Sequence, residues 1–308
     1  GSTIADAYVR AREADALSAF GGIIGLNRAV DEDTAKAIVS TFIECVIAPK
    51  VEDAARAILA TKANLRVIVA EDHLAPVAAV NIWYGVGSKN EVPGKTGFAH
   101  LFEHVMFQGS RHVSKAEHMS IVQAAGGTIN GTTWLDRTNY FETVPAHQLE
   151  LALWLEADRM GTLLDALNQE NLDNQREVVK NEKRWSYDNR PYGSWSEKLQ
   201  GHLYPEGHPY HHPTIGSMED LDAASLADVS SFFRTWYAPD NATLSVVGDV
   251  DEARVLAWAE RHFGWIRPNG TFPRLGDTSL PLSFGAERRE VVHDQVPLPR
   301  VYFGFRAP

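Results

Sequence analysis

Three ionisable residues stand inside an otherwise apolar run: His100, Glu103 and His104 within Gly97-Phe98-Ala99-His100-Leu101-Phe102-Glu103-His104-Val105-Met106-Phe107. A helix that is apolar all round is a buried helix. Burying three ionisable groups there is costly unless they find partners. His100 and His104 are four residues apart, so on a helix they share a face, about 40° apart and roughly 6 Å along the axis. That spacing lets two imidazoles reach one zinc ion, at Zn–N distances of about 2.0–2.1 Å. Glu103 projects beside them, about 60° round from His100, near enough to meet a metal-bound water. The order is His-x-x-Glu-His, the reverse of His-Glu-x-x-His. The competing reading is a pair of core histidines with ordinary partners.

A catalytic zinc usually takes three protein ligands and keeps one position open. The single cysteine, Cys45, excludes a cysteine-cluster metal site and any internal disulfide framework. Cys45 lies in an apolar stretch, residues 39–47, and reads as a buried structural thiol. A third ligand must therefore be a histidine or a carboxylate. The helix expected over 174–187 offers Glu182, which with Val178 and Trp185 stands at i, i+4 and i+7 on an apolar face. Glu177 falls about 140° round, on the polar face with Asn181 and Arg184. A carboxylate on the buried face needs a cation or a metal, so Glu182 is the choice, with an ordinary salt bridge as its alternative. His208, His211 and His212 form a second group, but Pro209 and Pro213 among them point to a structural loop.

The elements that must position these residues are mixed. The first sixty residues read as helices, one carrying Ala5, Val9, Ala16 and Phe20, a second carrying Ala35, Ile38, Phe42 and Val46. Strands are expected over 65–70 and 77–84, joined as a hairpin or meander, and over 128–134, 138–144 and 243–248. Helices are expected over 97–107, 115–125, 147–164, 169–187, 195–203, 217–236 and 251–263, with Trp185, Trp195 and Trp236 as core side chains. Without a regular βαβ alternation the class is α+β, a mixed sheet packed with helices. The Pro- and Gly-rich stretch 268–284 marks a boundary, and 289–292 and 301–305 read as two strands beyond it.

Composition narrows the class of function. The chain has 308 residues, 44% hydrophobic and 22% charged, enough for a sizeable core. Its 29 Lys and Arg against 40 Asp and Glu give a net charge of −11, which argues against a nucleic-acid partner and an anionic membrane surface. No apolar run approaches the roughly 18 residues of a membrane span. Asp6, Glu13 and Asp15 are unlike a secretory signal peptide, and Gly1-Ser2 reads as a tag-cleavage scar.

The run His100-Leu101-Phe102-Glu103-His104 resembles the signature of the inverzincin peptidases, the family of pitrilysin, insulin-degrading enzyme and the mitochondrial processing peptidase β subunit. The resemblance extends through Gly85-Val86-Gly87-Ser88-Lys89-Asn90-Glu91, Gly127-Thr128-Ile129-Asn130-Gly131-Thr132-Thr133, Asp136-Arg137-Thr138, Pro209 to Gly216 and Tyr237-Ala238-Pro239-Asp240-Asn241. It covers about 65–305, is nearest the bacterial short-chain members, and leaves out the first sixty residues. It implies a processing-peptidase-like metallohydrolase domain over 63–267, with 1–62 as a helical extension of unknown role. Residues 268–308 would be a linker and the first strands of a second, otherwise absent domain.

What the resemblance implies for the site is one zinc ion per chain held by His100, His104 and Glu182, with Glu103 as general base. Asn130, Gly131 and Thr132 would form an edge strand to which an extended peptide adds. Gln175 stands where many members have a second glutamate, two helical turns before the ligand, so it could hydrogen-bond behind the site but not add charge. The function expected is a zinc endopeptidase acting on peptides, completed by a second domain or partner subunit. The alternative is a peptide-binding or assembly subunit with a structural or vestigial zinc site. The bacterial resemblance implies the periplasm or envelope, with the cytoplasm as the alternative.

Overall fold

The structure, a computed structural model, describes residues 3–14, 22–40, 43–59, 66–273, 275, 278–281 and 286–306. The chain divides into two compact units, Gly1–Asn64 and Leu65–Pro308.

The first unit holds α1 (Ile4–Ala14), β1 (Gly22–Gly25), α2 (Glu32–Val39), β2 (Ile43–Ile47) and α3 (Asp53–Leu59). Asp31 starts α2 by accepting a hydrogen bond from Thr34 N at 2.8 Å. The expected helix through Val46 is corrected: α2 ends at Val39 and residues 43–47 run as a strand parallel to β1. β-branched Ile43, Val46 and Ile47 favour that extended state. Tyr8, Val30, Ala35, Ile38 and Ala55 make a small core of their own. The helical positions expected at Ala16, Phe20 and Phe42, and the thiol of Cys45, lie outside the described residues and side chains.

The second unit is built on a five-stranded sheet of β3 (Arg66–Glu71), β4 (Val77–Tyr84), β5 (Thr128–Thr133), β6 (Thr138–Pro145) and β7 (Ala242–Gly248), in the order β3-β7-β4-β6-β5. Only β3 and β7 pair in parallel; the other pairs are antiparallel. The expected β3–β4 hairpin is therefore corrected. β7 enters between them, in register from Arg66↔Thr243 on one side and Tyr84↔Ala242 on the other. At its end Gly248 has φ 134°, and a side chain there would meet Val77 O at 2.1 Å, so only glycine allows this insertion.

Along β4 the alternate residues Ala78, Val80, Ile82 and Tyr84 are buried, as the two-residue period of a one-sided sheet requires. Seven helices contribute buried residues to the core on that face: α4 (Phe98–Val105), α5 (Glu117–Ala124), α6 (Leu149–Ala166), α7 (Gln169–Lys183), α9 (Met218–Ala223), α10 (Leu226–Trp236) and α11 (Glu252–Phe263), while α8 (Trp195–Leu203) buries no residue. The single helix expected over 217–236 is two, because Ser225 opens α10 with its own capping box to Asp228. The helix expected over 169–187 ends in a π-helical turn, Arg184–Asp188. Trp236 is buried as expected, whereas Trp185 is 80% exposed and Trp195 half-exposed, stacked on Tyr302 at 4.5 Å.

Residues 289–292 and 301–305 are not strands. They find no ladder partner among the described residues, and a strand without one leaves its backbone groups unpaired. Side-chain contacts hold this tail instead: Tyr192 Oη donates to Leu298 O at 2.6 Å and Arg306 Nε to Leu203 O at 2.8 Å.

Candidate metal centre

Helix α4 starts at Gly97, whose φ of 89° only glycine adopts easily. Phe98, Leu101, Phe102 and Val105 anchor it in the core, with the Phe102 ring stacked on Phe232 at 5.7 Å. Its Phe102 carbonyl accepts a hydrogen bond from Tyr140 Oη at 3.1 Å. The remaining face carries His100 and His104, whose rings meet edge to face, 4.9 Å between centroids.

Helix α7 packs against α4 and brings Glu182 to both rings. Glu182 Oε2 lies 3.3 Å from His104 Nε2 and 3.7 Å from His100 Nε2. One donor atom from each of the three residues falls within 4.8 Å of the others. His100 Nδ1 and His104 Nε2 are buried without a hydrogen-bond partner. Two nitrogens and a carboxylate oxygen are an ordinary donor set for zinc, so the residues fit the metal. Burial, then the neighbouring His104, push the His100 imidazole down to about 4, which keeps it neutral and able to ligate. Contact with His104 holds Glu182 below its usual value, although burial opposes this.

Glu182 arrives by a different stripe from the one expected. Val178 and Trp185 are exposed, and the inner face of α7 is Leu172, Gln175 and Val179, which Glu182 extends by another three residues. Gln175 shares that face and is buried, and its Nε2 donates to Asn174 Oδ1 at 2.9 Å.

Strand β5 closes the sheet, paired only with β6 among the described residues. Asn130 is exposed, and its Oδ1 accepts from Gly131 N at 2.8 Å. Gly131 is buried beneath Glu103: a side chain there would stand 3.0 Å from the Tyr140 ring and 3.3 Å from Glu103 Cγ. Gly131→Ala should therefore displace Glu103 and lower turnover by about 10-fold or more, with metal content unchanged. Equal turnover in the two proteins would contradict the packing argument.

Thr132 lies in a polar chain in which Arg137 donates to Thr132 O at 3.0 Å and to Asn139 Oδ1 at 2.8 Å. Burial raises the Glu103 carboxyl above its usual value, with Thr133, His104 and Arg137 acting in the other direction. Arg137 was legible as part of a motif, but its closeness to Glu103 comes from the β5–β6 pairing.

Residues 66–205 match the family profile described as Insulinase (Peptidase family M16), and residues 223–308 match the one described as Peptidase M16 inactive domain. The larger unit carries M16 family domains. Among M16 relatives, the zinc protease PqqE of Helicobacter pylori is 34% identical over 239 residues, 75% of this chain and 52% of the relative. An uncharacterised zinc protease of Mycobacterium leprae is 32% identical over 203 residues, 65% of this chain and 44% of that protein. The chain thus spans about half the length of the curated M16 relatives it matches.

Among solved structures, a protease from Helicobacter pylori superimposes with a TM-score of 0.63 at 33% identity, covering 71% of this chain and 50% of the other. Pitrilysin shares the fold at a TM-score of 0.62 and 19% identity, over 70% of this chain and 23% of the other. All four residues of the expected zinc site fall within the insulinase match.

Residues 1–86 match a different profile, that of the AICARFT/IMPCHase bienzyme. The bifunctional purine biosynthesis protein PurH of Synechococcus elongatus is 56% identical over 69 residues, 22% of this chain and 14% of that protein. No residue pattern in the first sixty positions had pointed there.

A second group in the M16 unit, His118, Glu142 and Glu156, also has donor atoms within 4.8 Å of one another and is fully buried. Here the cation is already present. Arg159 pairs with Glu156 and lies over the Tyr140 ring, 4.4 Å from its centroid. Burial and Glu156 together raise the Glu142 carboxyl well above its usual value, and burial lowers His118. The raised Glu142 carboxyl thus sits beside a buried Glu156–Arg159 ion pair. The signal was legible as Glu156 and Arg159 at i, i+3 in an apolar helix.

No helix among the described residues is long and apolar enough to cross a membrane.

Proposed function

We propose that the M16 unit is the metal-holding part of a zinc endopeptidase acting on extended peptides. The observation that carries this reading is the meeting of His100, His104 and Glu182, with Glu103 on the same helix and packed against edge strand β5. When bound, zinc supplies Lewis acidity for the scissile carbonyl and acidifies a water towards a pKa of about 7. His100, His104 and Glu182 hold it. Glu103 accepts the proton of the attacking water and returns it to the departing amine. Its raised pKa suits a carboxylate that must accept a proton near neutral pH.

A substrate strand would add to the free edge at Asn130, Gly131 and Thr132 through main-chain hydrogen bonds. Gly131 would bring that strand to Glu103 without an intervening side chain. Because the M16 relatives are about twice as long, we infer that a second domain or partner subunit completes the chamber. A solved neighbour, the periplasmic protease PqqL of Escherichia coli, supports the periplasm or envelope as the compartment. The purine-enzyme match spans 14% of its relative, and we assign it no chemistry.

The description of the 223–308 match as an inactive domain favours a second reading, a peptide-binding subunit that does not cleave. An internally quenched peptide separates the two. The zinc-loaded chain, supplied where needed with the remaining half of the Helicobacter pylori relative, should cleave it, stop on chelation and recover with zinc. Zinc-dependent binding without cleavage under those conditions would establish the second reading.

A further inference from the structure

The first turn of α4 is capped by a residue outside the helix. Gly97, at the cap, has no side chain to answer the free N–H groups of that turn. Glu91, whose side chain is fully buried, answers two of them: Oε2 accepts from Gly97 N and Oε1 from Ala99 N, each at 2.8 Å. Glu91 Oε2 also lies 2.9 Å from His212 Nε2, and the same nitrogen lies 2.9 Å from Ser88 O. A carbonyl can only accept, so Nε2 of His212 carries its proton and donates to both. The loop that bears His212 presses directly on the cap, because a side chain at Gly216 would stand 2.4 Å from Gly97 N and Cα. His100 is the residue that follows Ala99.

We propose that Glu91 is a positioning residue that fixes the first turn of α4, and with it His100, and that His212 holds Glu91 in that pose. This rests on the reading of His100, His104 and Glu182 as a metal site. The bidentate grip needs two acceptor oxygens on one rigid plane, which a carboxylate has and an amide lacks. In Glu91→Gln the side-chain NH2 must face one of the two backbone N–H groups, so the turn loses one hold and the shape stays the same. The second histidine group of the sequence thus acts on the first by hydrogen bonds, through a carboxylate and a helix end.

Cobalt(II) replacing zinc reports this directly, since its visible spectrum follows ligand geometry. Wild-type chain should bind one cobalt, and folded Glu91→Gln should bind it about 10-fold more weakly with a changed spectrum. His212→Gln should weaken it by a smaller factor, and it carries the test if Glu91→Gln does not fold. Val122→Ala, a core truncation in α5, controls for lost stability: its melting temperature should fall while its cobalt affinity and spectrum stay those of wild type. Wild-type affinity and spectrum in folded Glu91→Gln, or in His212→Gln where that variant carries the test, would overturn the positioning role alone. A wild-type chain that binds no cobalt would overturn the metal site, and this proposal with it.

Discussion

Glu103→Gln keeps the metal of the chain and lowers peptide hydrolysis by about 10²–10⁴-fold, the usual contribution of a positioned general base. The amide has the size and shape of the carboxylate, so the packing of Glu103 over Gly131 is preserved. It cannot accept the proton. Glu103 is not among the three residues whose donor atoms converge, His100, His104 and Glu182, so metal content should be unaffected. Elemental analysis and initial rates on the same preparations read both quantities. Unchanged turnover would remove Glu103 from the reaction, and lost metal would make it a ligand instead.

The second large effect is on stability. Arg159→Met should lower the unfolding free energy by about 3–5 kcal/mol, because it leaves the buried Glu156 carboxylate without its partner. The neighbouring Glu142→Gln should act in the opposite direction. In the folded chain Glu142 has a raised pKa, burial being the main cause and Glu156 the next. A carboxyl raised on folding gives stability that is complete below its unfolded pKa and is lost as pH rises through the folded one. Wild-type chain should therefore lose stability as pH climbs above the ordinary glutamate range, and Glu142→Gln should flatten that slope and match or exceed wild type at pH 7. Denaturant melts between pH 4 and 8 check the sign. A steeper fall in Glu142→Gln would contradict the upward shift of Glu142.

Much of the site was legible because it is local. His100 and His104 share a helical face by spacing alone, and their polarity in an apolar run marked them out. Glu182 does lie beside both histidines, but by a different stripe from the expected one: Val178 and Trp185 are exposed, and the buried line is Leu172, Gln175, Val179. Two apolar residues at helical spacing cannot say which of two overlapping stripes meets the core. The insertion of β7 between β3 and β4 was hidden for another reason: no local signal records a pairing across more than a hundred residues. The Glu91–His212 contact spans a similar separation, which is why the histidine group around 208–212 read only as a loop. In the first unit, β2 follows α2 so closely that the apolar residues of the two blend into one apparent helix.

The central claim is that His100, His104 and Glu182 hold one zinc ion. Metal content of the purified chain, measured by elemental analysis beside Glu182→Ala, tests it most directly. The account predicts about one zinc per wild-type chain and a sharp loss in the variant, with the fold intact by circular dichroism. Little zinc in the wild-type chain after zinc is supplied, or full zinc in Glu182→Ala, would contradict it.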